Sequence, residues 1–307
     1  MTITQLRAFV EVAAAGSVRA AAATLVVSQP AVSAAVAALQ RDLGVTLVTR
    51  QGRGLELTPA GRVFADYARH ALALLEEARV AAAGQLRPER GRVRLAAVTT
   101  VGEHVLPPFL AAFRSRWPHA EVTLEVGNRN RVWELLSYRE VDLVIGGRPP
   151  AGGHFATLAT RSNRLVMVAP KSSSAGPDGN HEVDVSDLAT QVWLVREPGS
   201  GTRATAEELF EELGIAPATL TLGSNGAVRE SVLAGLGVTL ISSDAVAREL
   251  AQGELQEWRA PGLPLERNWH AVGRSGEDLT PTAALFLEEL CTAGEVAGSE
   301  AFRRVAR

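Results

Sequence analysis

The chain has 307 residues, of which 46% are hydrophobic and 21% are charged, a globular composition that excludes a disordered or fibrous protein. At roughly 100–200 residues per domain, this length leaves room for two or three domains. We find no run of about 18 apolar residues, so we predict no membrane span. The single cysteine, Cys291, excludes a disulfide framework and fits a reducing cytoplasm.

Charge divides unevenly along the chain. Residues 1–92 hold 11 Arg and 7 acidic residues, whereas acidic residues are in excess over the remainder. A basic front and an acidic back predict a polyanionic partner for the front part, with chance asymmetry as the alternative. Lys171 is the only lysine, so there is no P-loop lysine and little scope for Schiff-base chemistry.

Three short helices are predicted at the N-terminus. Thr2, Ser17 and Ser28 have the side chains of N-caps, while Gly16 and Gly44 end the first and third helices. The third helix has one apolar stripe for a core, formed by Val32, Ala35, Val36, Leu39 and Leu43.

The opposite face of the third helix has short or amide-bearing side chains in place of the Glu and Lys of a solvated face. These are Gln29, Ser33, Ala37 and Gln40. Small residues let a helix approach the floor of the DNA major groove, where Gln pairs with adenine and Ser with either base type. Two helices joined by a short turn, the second entering the groove, form a helix-turn-helix.

A β-hairpin with a basic tip is predicted next, with strands Val45–Thr49 and Leu55–Leu57. Arg50 and Arg53 lie at the tip, where they would meet phosphate or the minor groove. We interpret the hairpin as a wing, with a solvated loop as the alternative.

These residues resemble, from Leu6 to Gly61, the N-terminal signature of LysR-type transcriptional regulators. The segments that carry the resemblance are Gly16-Ser17, Ala20-Ala21, Leu25, Ser28-Gln29-Pro30-Ala31-Val32-Ser33, Leu43-Gly44, Arg50 and Leu57-Thr58.

The resemblance implies a winged helix-turn-helix that reads DNA. It adds Ser28 and Pro30 to Gln29 and Ser33 as DNA contacts, and it implies that the wing arginines grip the backbone. The chain departs from the family's pattern at Val18, Gln40 and Val48, where the family usually has Phe, Glu and Phe, so the base-reading role of Gln40 is in doubt.

A long helix is predicted from Thr58-Pro59 to about Leu86. Six of its residues alternate at three- and four-residue spacing, which is the a/d seam of a coiled coil and predicts a homodimer. A helix docked on its own domain is the alternative. The resemblance also implies that this helix pairs with a second subunit, and we expect two such dimers to form a homotetramer. The predicted seam consists of Phe64, Tyr67, Ala71, Leu74, Ala78 and Ala81.

After a polar hinge at 85–92, strands and helices alternate, which predicts parallel sheets in two lobes with a cleft at the carboxyl ends of the strands. The predicted strands are Arg92–Val98, Glu121–Val126, Val141–Ile145, Leu165–Ala169, Val192–Val195, Thr219–Leu222, Val238–Ile241 and Trp269–Val272. The predicted helices are Val105–Trp117, Val132–Ser137, Thr202–Leu213, Ala227–Ala234 and Thr282–Thr292.

Polar residues at several strand ends predict a site for an anionic effector. Two loops before helices, 98–102 and 196–203, offer hydroxyls and free backbone N–H groups, with plain helix caps as the alternative. Arg148 would complement an anion, unless it is a surface residue of a Pro-rich turn. The predicted effector-binding residues are Thr99, Thr100, Asn128, Arg148, Ser200, Gly201, Thr202 and Asn225.

The second part of the chain resembles the LysR-type effector domain, whose fold is similar to type 2 periplasmic binding proteins. Segments 124–129, 141–150, 234–238 and 262–264 resemble the subgroup that controls carbon-fixation operons. Regulators in that subgroup respond to phosphorylated metabolites, nicotinamide nucleotides or 2-oxo acids. Gly146 stands where a bulkier residue is expected, so the floor of the pocket is expected to differ.

The expected architecture is a winged helix-turn-helix at 1–58, a linker helix and hinge at 59–90, and a two-lobed α/β effector domain at 91–307. The first lobe takes about 91–165 and 268–307, and the second about 166–267. We expect a cytoplasmic regulator that binds double-stranded DNA and a phosphorylated metabolite or carboxylate, with RNA polymerase as a further partner.

No catalytic motif is recognised, and neither a catalytic residue, a metal site nor a cofactor is predicted. The alternatives are a solute-binding sensor, which would need a secretion signal and no DNA-binding head, and a bifunctional enzyme-regulator, which would need a catalytic motif.

Overall fold

The computed structural model describes residues 1–51, 54–84, 87–171, 181–292 and 300–305. The chain forms two compact units, one built mainly from residues 1–82 and the other mainly from residues 83–307. Each unit has an apolar core of its own.

Three helices begin the first unit, and the predicted caps set their bounds. The hydroxyls of Thr2, Ser17 and Ser28 each accept a hydrogen bond from the backbone N–H three residues later. Gly16 and Gly44 adopt the left-handed conformation that ends the first and third helices. The helices are α1 (Ile3–Ala15), α2 (Val18–Leu25) and α3 (Gln29–Leu43).

The predicted wing is present as an antiparallel hairpin of β1 (Val48–Gln51) and β2 (Gly54–Leu57). It begins three residues later than predicted because the backbone N–H of Val45 donates to the carbonyl of Gln40, completing the end of α3. The chain therefore leaves the helix before it can pair as a strand. Fully buried Phe9 lies in the core beneath these elements.

The long helix α4 (Pro59–Gly84) begins at the predicted position. The hydroxyl of Thr58 caps it by accepting a hydrogen bond from the N–H of Gly61 at 2.9 Å. A Cβ atom added at Gly61 would lie 1.9 Å from the carbonyl oxygen of Leu47, so the start of α4 packs on the wing at a distance that requires glycine. The predicted end at Leu86 lies outside the described residues.

The second unit alternates strands and helices as predicted. Its first half contains β3 (Arg92–Val98), α5 (Leu106–Arg116), β4 (Glu121–Gly127), α6 (Arg129–Ser137), β5 (Leu143–Gly146), β6 (Phe155–Pro170), β7 (His181–Glu182) and α7 (Val185–Thr190). Its second half contains β8 (Val192–Arg196), α8 (Gly201–Leu213), β9 (Ala218–Leu222), α9 (Asn225–Leu233), β10 (Thr239–Ser242), α10 (Ala247–Gln252), β11 (Leu255–Arg259), β12 (Leu265–Arg274), α11 (Pro281–Thr292) and β13 (Arg303–Arg304).

Short helical turns complete this list. Single 3₁₀ turns lie at Pro88–Arg90 and Ser243–Ala245, and a π-helical turn, Val101–Val105, leads into α5. In the described part of the chain, no single helix is long and apolar enough to cross a membrane. Taken together, α2 and α3 would have the length and composition of a membrane span, but the chain bends by 108° between them.

Two long antiparallel strands, β6 and β12, join the two lobes of the second unit. At one end, parallel β3, β4 and β5 pack with α5, α6 and α11 around a core that includes Phe109 and Phe286. At the other, β8 to β11 pack with α8 and α9 around Trp193 and Met167. We call these groups the first and second lobes.

The crossing strands are longer than predicted. The predicted strand Leu165–Ala169 is the apolar end of β6, and Trp269–Val272 is the buried middle of β12. The remaining part of β6 carries polar side chains such as Arg161 and Asn163, which broke the apolar pattern on which the prediction relied.

Candidate functional site

The exposed face of α3 presents the predicted DNA-contacting side chains together. The opposite face buries Val32, Val36 and Leu39 in the core, so the helix is anchored on one side and open on the other. The predicted contacts that lie exposed on the open side or at the start of the helix are Ser28, Gln29, Pro30, Ser33 and Ala37.

Gln40 has another role in the structure. Its side-chain Oε1 accepts hydrogen bonds from the backbone N–H groups of Leu47, at 2.7 Å, and Val48, at 3.2 Å. The oxygen that was predicted to read a base therefore ties the last turn of α3 to the wing. Helical spacing placed Gln40 on the reading face, but spacing does not show that the chain folds back to this position.

The wing presents one described basic side chain. Arg50 is exposed on β1, in the register opposite Leu55. Its predicted companion Arg53 lies outside the described residues. The phosphate contact by Arg50 stays a prediction.

The predicted dimer seam on α4 needs one correction. Phe64 packs into the core of the first unit, with its ring centroid 5.6 Å from that of Phe9. Val63, 59% exposed, lies on the open side instead, in line with Tyr67 at 70% and Leu74 at 51%. α4 has two apolar sides, one packed in the core of the first unit and one exposed. Periodicity alone did not show which of the two sides Phe64 belongs to. Ala71 and Ala78 are also exposed, and the side chain of Ala81 lies outside the described residues.

A cleft of about 690 Å³ lies between the first and second lobes. It opens at the carboxyl ends of β3, β4, β5 and β8, the position predicted from the alternating pattern. The predicted effector-binding residues that line it are Thr99, Thr100, Asn128, Arg148, Ser200, Gly201 and Thr202.

Asn225 is the predicted effector residue that does not line the cleft. It is buried, and both ends of its carboxamide have protein partners: Nδ2 donates to Thr100 Oγ1 at 2.8 Å, and Oδ1 accepts from Arg196. The prediction that Asn225 touches the effector is therefore corrected to a position behind the wall. The sequence showed that Asn225 follows the end of a strand. It did not show that its side chain would be bound by Thr100 and Arg196, which lie far away in sequence.

The start of α8 is open toward the cleft. Ser200 is its N-cap residue, yet its hydroxyl makes no capping hydrogen bond, and Gly201 and Thr202 follow in the cleft lining. A helix N-terminus carries unpaired N–H groups and a partial positive charge, both of which favour an anion. Gly199, at a φ of 88°, lets this loop approach the side chain of Asn128 in the first lobe.

Two arginines that line the cleft have no hydrogen-bond acceptor in the described part of the chain. Within the described residues, neither Arg148 nor Arg129 has a hydrogen bond or ion pair. Arg129 was missed because α6 was predicted to begin at Val132, whereas it begins at Arg129 itself. An arginine at the positive end of a helix is electrostatically unfavourable, and that mismatch is the signal that could have identified it.

His270 also lines the cleft, on β12, and was not predicted. Its Nδ1 lies 3.4 Å from the hydroxyl of Thr157. Burial and, secondarily, the positive charge of Arg148 lower the pKa of His270 below its ordinary value. The described cleft lining therefore includes His270 and four arginines, which are Arg129, Arg148, Arg196 and Arg267.

A winged helix-turn-helix joined to a two-lobed α/β unit with a polar cleft is the architecture of a ligand-responsive transcription factor. Comparison with known families agrees with both parts. Residues 3–62 match the bacterial regulatory helix-turn-helix of the LysR family, and residues 86–294 match the LysR substrate binding domain. The chain belongs to the LysR family of transcriptional regulators.

Individual relatives narrow the comparison. The transcriptional regulator CbbR of Xanthobacter flavus is 36% identical over 94% of this chain and 87% of its own length. The regulatory domain of Synechocystis PCC6803 CcmR, solved in complex with 2-PG, is 28% identical, has a TM-score of 0.59 and covers 64% of this chain and 94% of its own. Full-length CbnR in complex with its target DNA is 26% identical and has a TM-score of 0.66. The match covers 94% of this chain and 98% of CbnR.

Proposed function

We propose that a small anionic metabolite binds in the cleft between the lobes and modulates how this LysR-type regulator binds DNA. The observation that carries the proposal is the pair Arg129 and Arg148, two cleft arginines without an acceptor among the described residues. An arginine that lines a cavity and has no ion-pair partner is satisfied by an anionic ligand. The open N-terminus of α8 adds donors on the opposite lobe.

The similarity to CcmR supports this class of effector, since that protein's regulatory domain was solved with 2-PG. A phosphorylated metabolite or a carboxylate offers the oxygens that arginines, hydroxyls and backbone N–H groups bind. The proposal keeps the predicted division into a DNA-binding head, a linker helix and an effector domain, and it assigns regulation, not catalysis, to the cleft.

For the DNA interface, we propose that Gln29, Pro30 and Ser33 contact base edges and that Arg50 contacts phosphate. Their common exposure on one face of a helix anchored by its opposite side supports this assignment. Dimers would form along the exposed apolar side of α4 at Tyr67, which places two reading heads on two half-sites. The similarity to CbnR, solved with its target DNA, supports the arrangement.

Footprinting and thermal shift test the proposal together. The footprint is taken on the DNA upstream of the protein's own gene, with and without 2-PG, other phosphorylated metabolites and carboxylates. One anion is expected to change the length of the protected region and to raise Tm. Arg129→Ala and Arg148→Ala should each abolish the rise in Tm.

Arg131→Ala is the matched control, because Arg131 lies on the same helix α6 but forms an exposed ion pair with Glu125 at 2.9 Å. It should keep the ligand response of the wild type. An absence of any anion-induced shift in the wild type, or an equal shift in the two cleft variants, contradicts the proposal.

A further inference from the structure

Four side chains beside the cleft form one continuous hydrogen-bonded chain. Asn225 Nδ2 donates to Thr100 Oγ1 at 2.8 Å, and Arg196 Nη1 donates to Asn225 Oδ1. Arg196 then donates to both carboxylate oxygens of Glu197, at 2.7 and 2.9 Å. Thr100, Arg196 and Asn225 are all buried, so water does not substitute for these bonds in this arrangement.

The direction of every hydrogen bond in this chain is determined by Arg196. A guanidinium only donates, so the oxygen of Asn225 must face Arg196 and its amide nitrogen must face Thr100. Because Thr100 Oγ1 accepts that N–H, its own proton remains free to be donated to an oxygen in the cleft. The carboxylate of Glu197 balances Arg196, which distinguishes Arg196 from Arg129 and Arg148.

The bond between Asn225 and Thr100 also joins the two lobes. Thr100 follows β3 in the first lobe. Asn225 is the first residue of α9 in the second lobe, where the hydroxyl of Ser224 caps the helix by accepting from Ala227 N at 3.1 Å. Separation of the lobes would break this bond and expose a buried donor and a buried hydroxyl.

We propose that Asn225 is a positioning residue, a latch that holds the lobes together and aims the Thr100 hydroxyl at an oxygen of the effector. The part concerning the effector rests on the proposed function. An effector oxygen that accepts from Thr100 polarises the hydroxyl and strengthens its bond from Asn225. Effector binding and lobe closure therefore favour each other, as linkage requires.

The latch itself is tested without ligand by hydrogen–deuterium exchange of the full-length protein. Asn225→Ala and Thr100→Val should each speed exchange roughly threefold to tenfold in both α5 and α9, one helix in each lobe. The double variant should exchange no faster than Asn225→Ala alone, because Asn225→Ala already removes the bond to Thr100, together with the bond from Arg196. Thr100→Ser, which keeps the hydroxyl, should behave as the wild type.

Thr123→Val is the matched control, a threonine exposed on β4 of the first lobe and outside the cleft lining. It should leave exchange in both helices unchanged. Faster exchange confined to the mutated lobe, or effects that multiply in the double variant, would overturn the latch and indicate local packing roles.

The aiming role is tested by calorimetric binding of 2-PG to the same variants. Asn225→Ala and Thr100→Val should each weaken binding about tenfold, and the double variant should bind no more weakly than the weaker of the two single variants. Independent, multiplying losses would overturn the positioning role. If the wild type fails to bind 2-PG, the choice of effector class is wrong, while the ligand-free exchange still decides whether the latch exists.

Discussion

The reading face of α3 and the cleft between the lobes are both polar surfaces, but the chain builds them differently. The reading face belongs to a single helix of 15 residues, whose opposite side is buried. The cleft gathers side chains from distant segments, such as Thr100 and Asn225, which are 125 positions apart. A surface formed by one helix can be predicted from helical periodicity. A surface formed by residues far apart in sequence depends on how every intervening element packs.

The largest expected effect is that of Gly61→Ala, which should destabilise the DNA-binding unit and leave the unit with the cleft unchanged. Gly61→Ala places a methyl group 1.9 Å from the carbonyl oxygen of Leu47, so the start of α4 must move away from the wing. We expect the first unit to lose about 3 kcal/mol of stability and specific DNA binding to be lost, while the second unit unfolds as in the wild type. Urea unfolding and a DNA-binding titration measure both.

Gly226→Ala provides the control for this substitution. The nearest atom to a Cβ at Gly226 is Ser224 Oγ at 3.9 Å, an ordinary contact, so stability should be unchanged or slightly higher. Retention of full DNA binding in Gly61→Ala would show that the wing does not depend on this close packing.

A second pair of variants distinguishes the two sides of α4. Phe64→Ala should cost about 2 kcal/mol of unfolding free energy because Phe64 packs on Phe9, yet it should leave self-association unchanged. Leu74→Glu should do the reverse, raising the dissociation constant of the dimer at least roughly tenfold with little effect on folding. Sedimentation and urea unfolding measure the two quantities. The opposite pattern would restore Phe64 to the seam.

Gln40 tests whether part of the reading face is structural. Gln40→Ala leaves the N–H groups of Leu47 and Val48 without their acceptor, at an expected cost of about 1–2 kcal/mol. Gln40→Glu keeps an acceptor oxygen and should retain stability within about 0.5 kcal/mol. Both variants should keep the base preference of the wild type in a binding-site selection. A changed preference at one base position would assign Gln40 to the interface after all.

The smallest expected effect is a pH dependence in the cleft. Burial and Arg148 lower the pKa of His270, and a bound anion offsets the charge of Arg148 and raises it again. Binding therefore takes up a proton, so the affinity for sulfate should rise about twofold to threefold from roughly pH 8 to pH 6. Sulfate is the probe because it does not titrate in this range, and His270→Gln should bind with no such dependence.

The same lowered pKa predicts the sign of a stability effect. As pH falls through the ordinary value of 6.5, the unfolded chain binds the proton of His270 before the folded chain does. The contribution of His270 to stability is therefore complete above that pH and decreases below it. A wild-type protein that gains stability relative to His270→Gln on acidification would contradict the assignment.

The elements that were predicted well share a local signal. The caps at Thr2, Ser17 and Ser28 are contained in a few residues of sequence, and α1, α2 and α3 begin where those signals place them. β3 matches its predicted bounds because Val93, Leu95, Ala96 and Ala97 are apolar residues buried within one short stretch. The elements that were missed, α7, α10, β7, β11 and β13, are short. β6 was truncated because its first half carries polar side chains such as Arg161 and Asn163.

The sequence by itself determined the helix-turn-helix, the wing, the long helix, the alternating lobes and the strand ends that face the cleft, because caps, periodicity and strand ends are local features of the chain. Only the tertiary structure decided that Gln40 holds the wing, that Phe64 faces the core and that Asn225 lies behind the cleft between Thr100 and Arg196. Each of these roles depends on a hydrogen-bond or packing partner far away in sequence, and such a partner is defined only when the chain has folded.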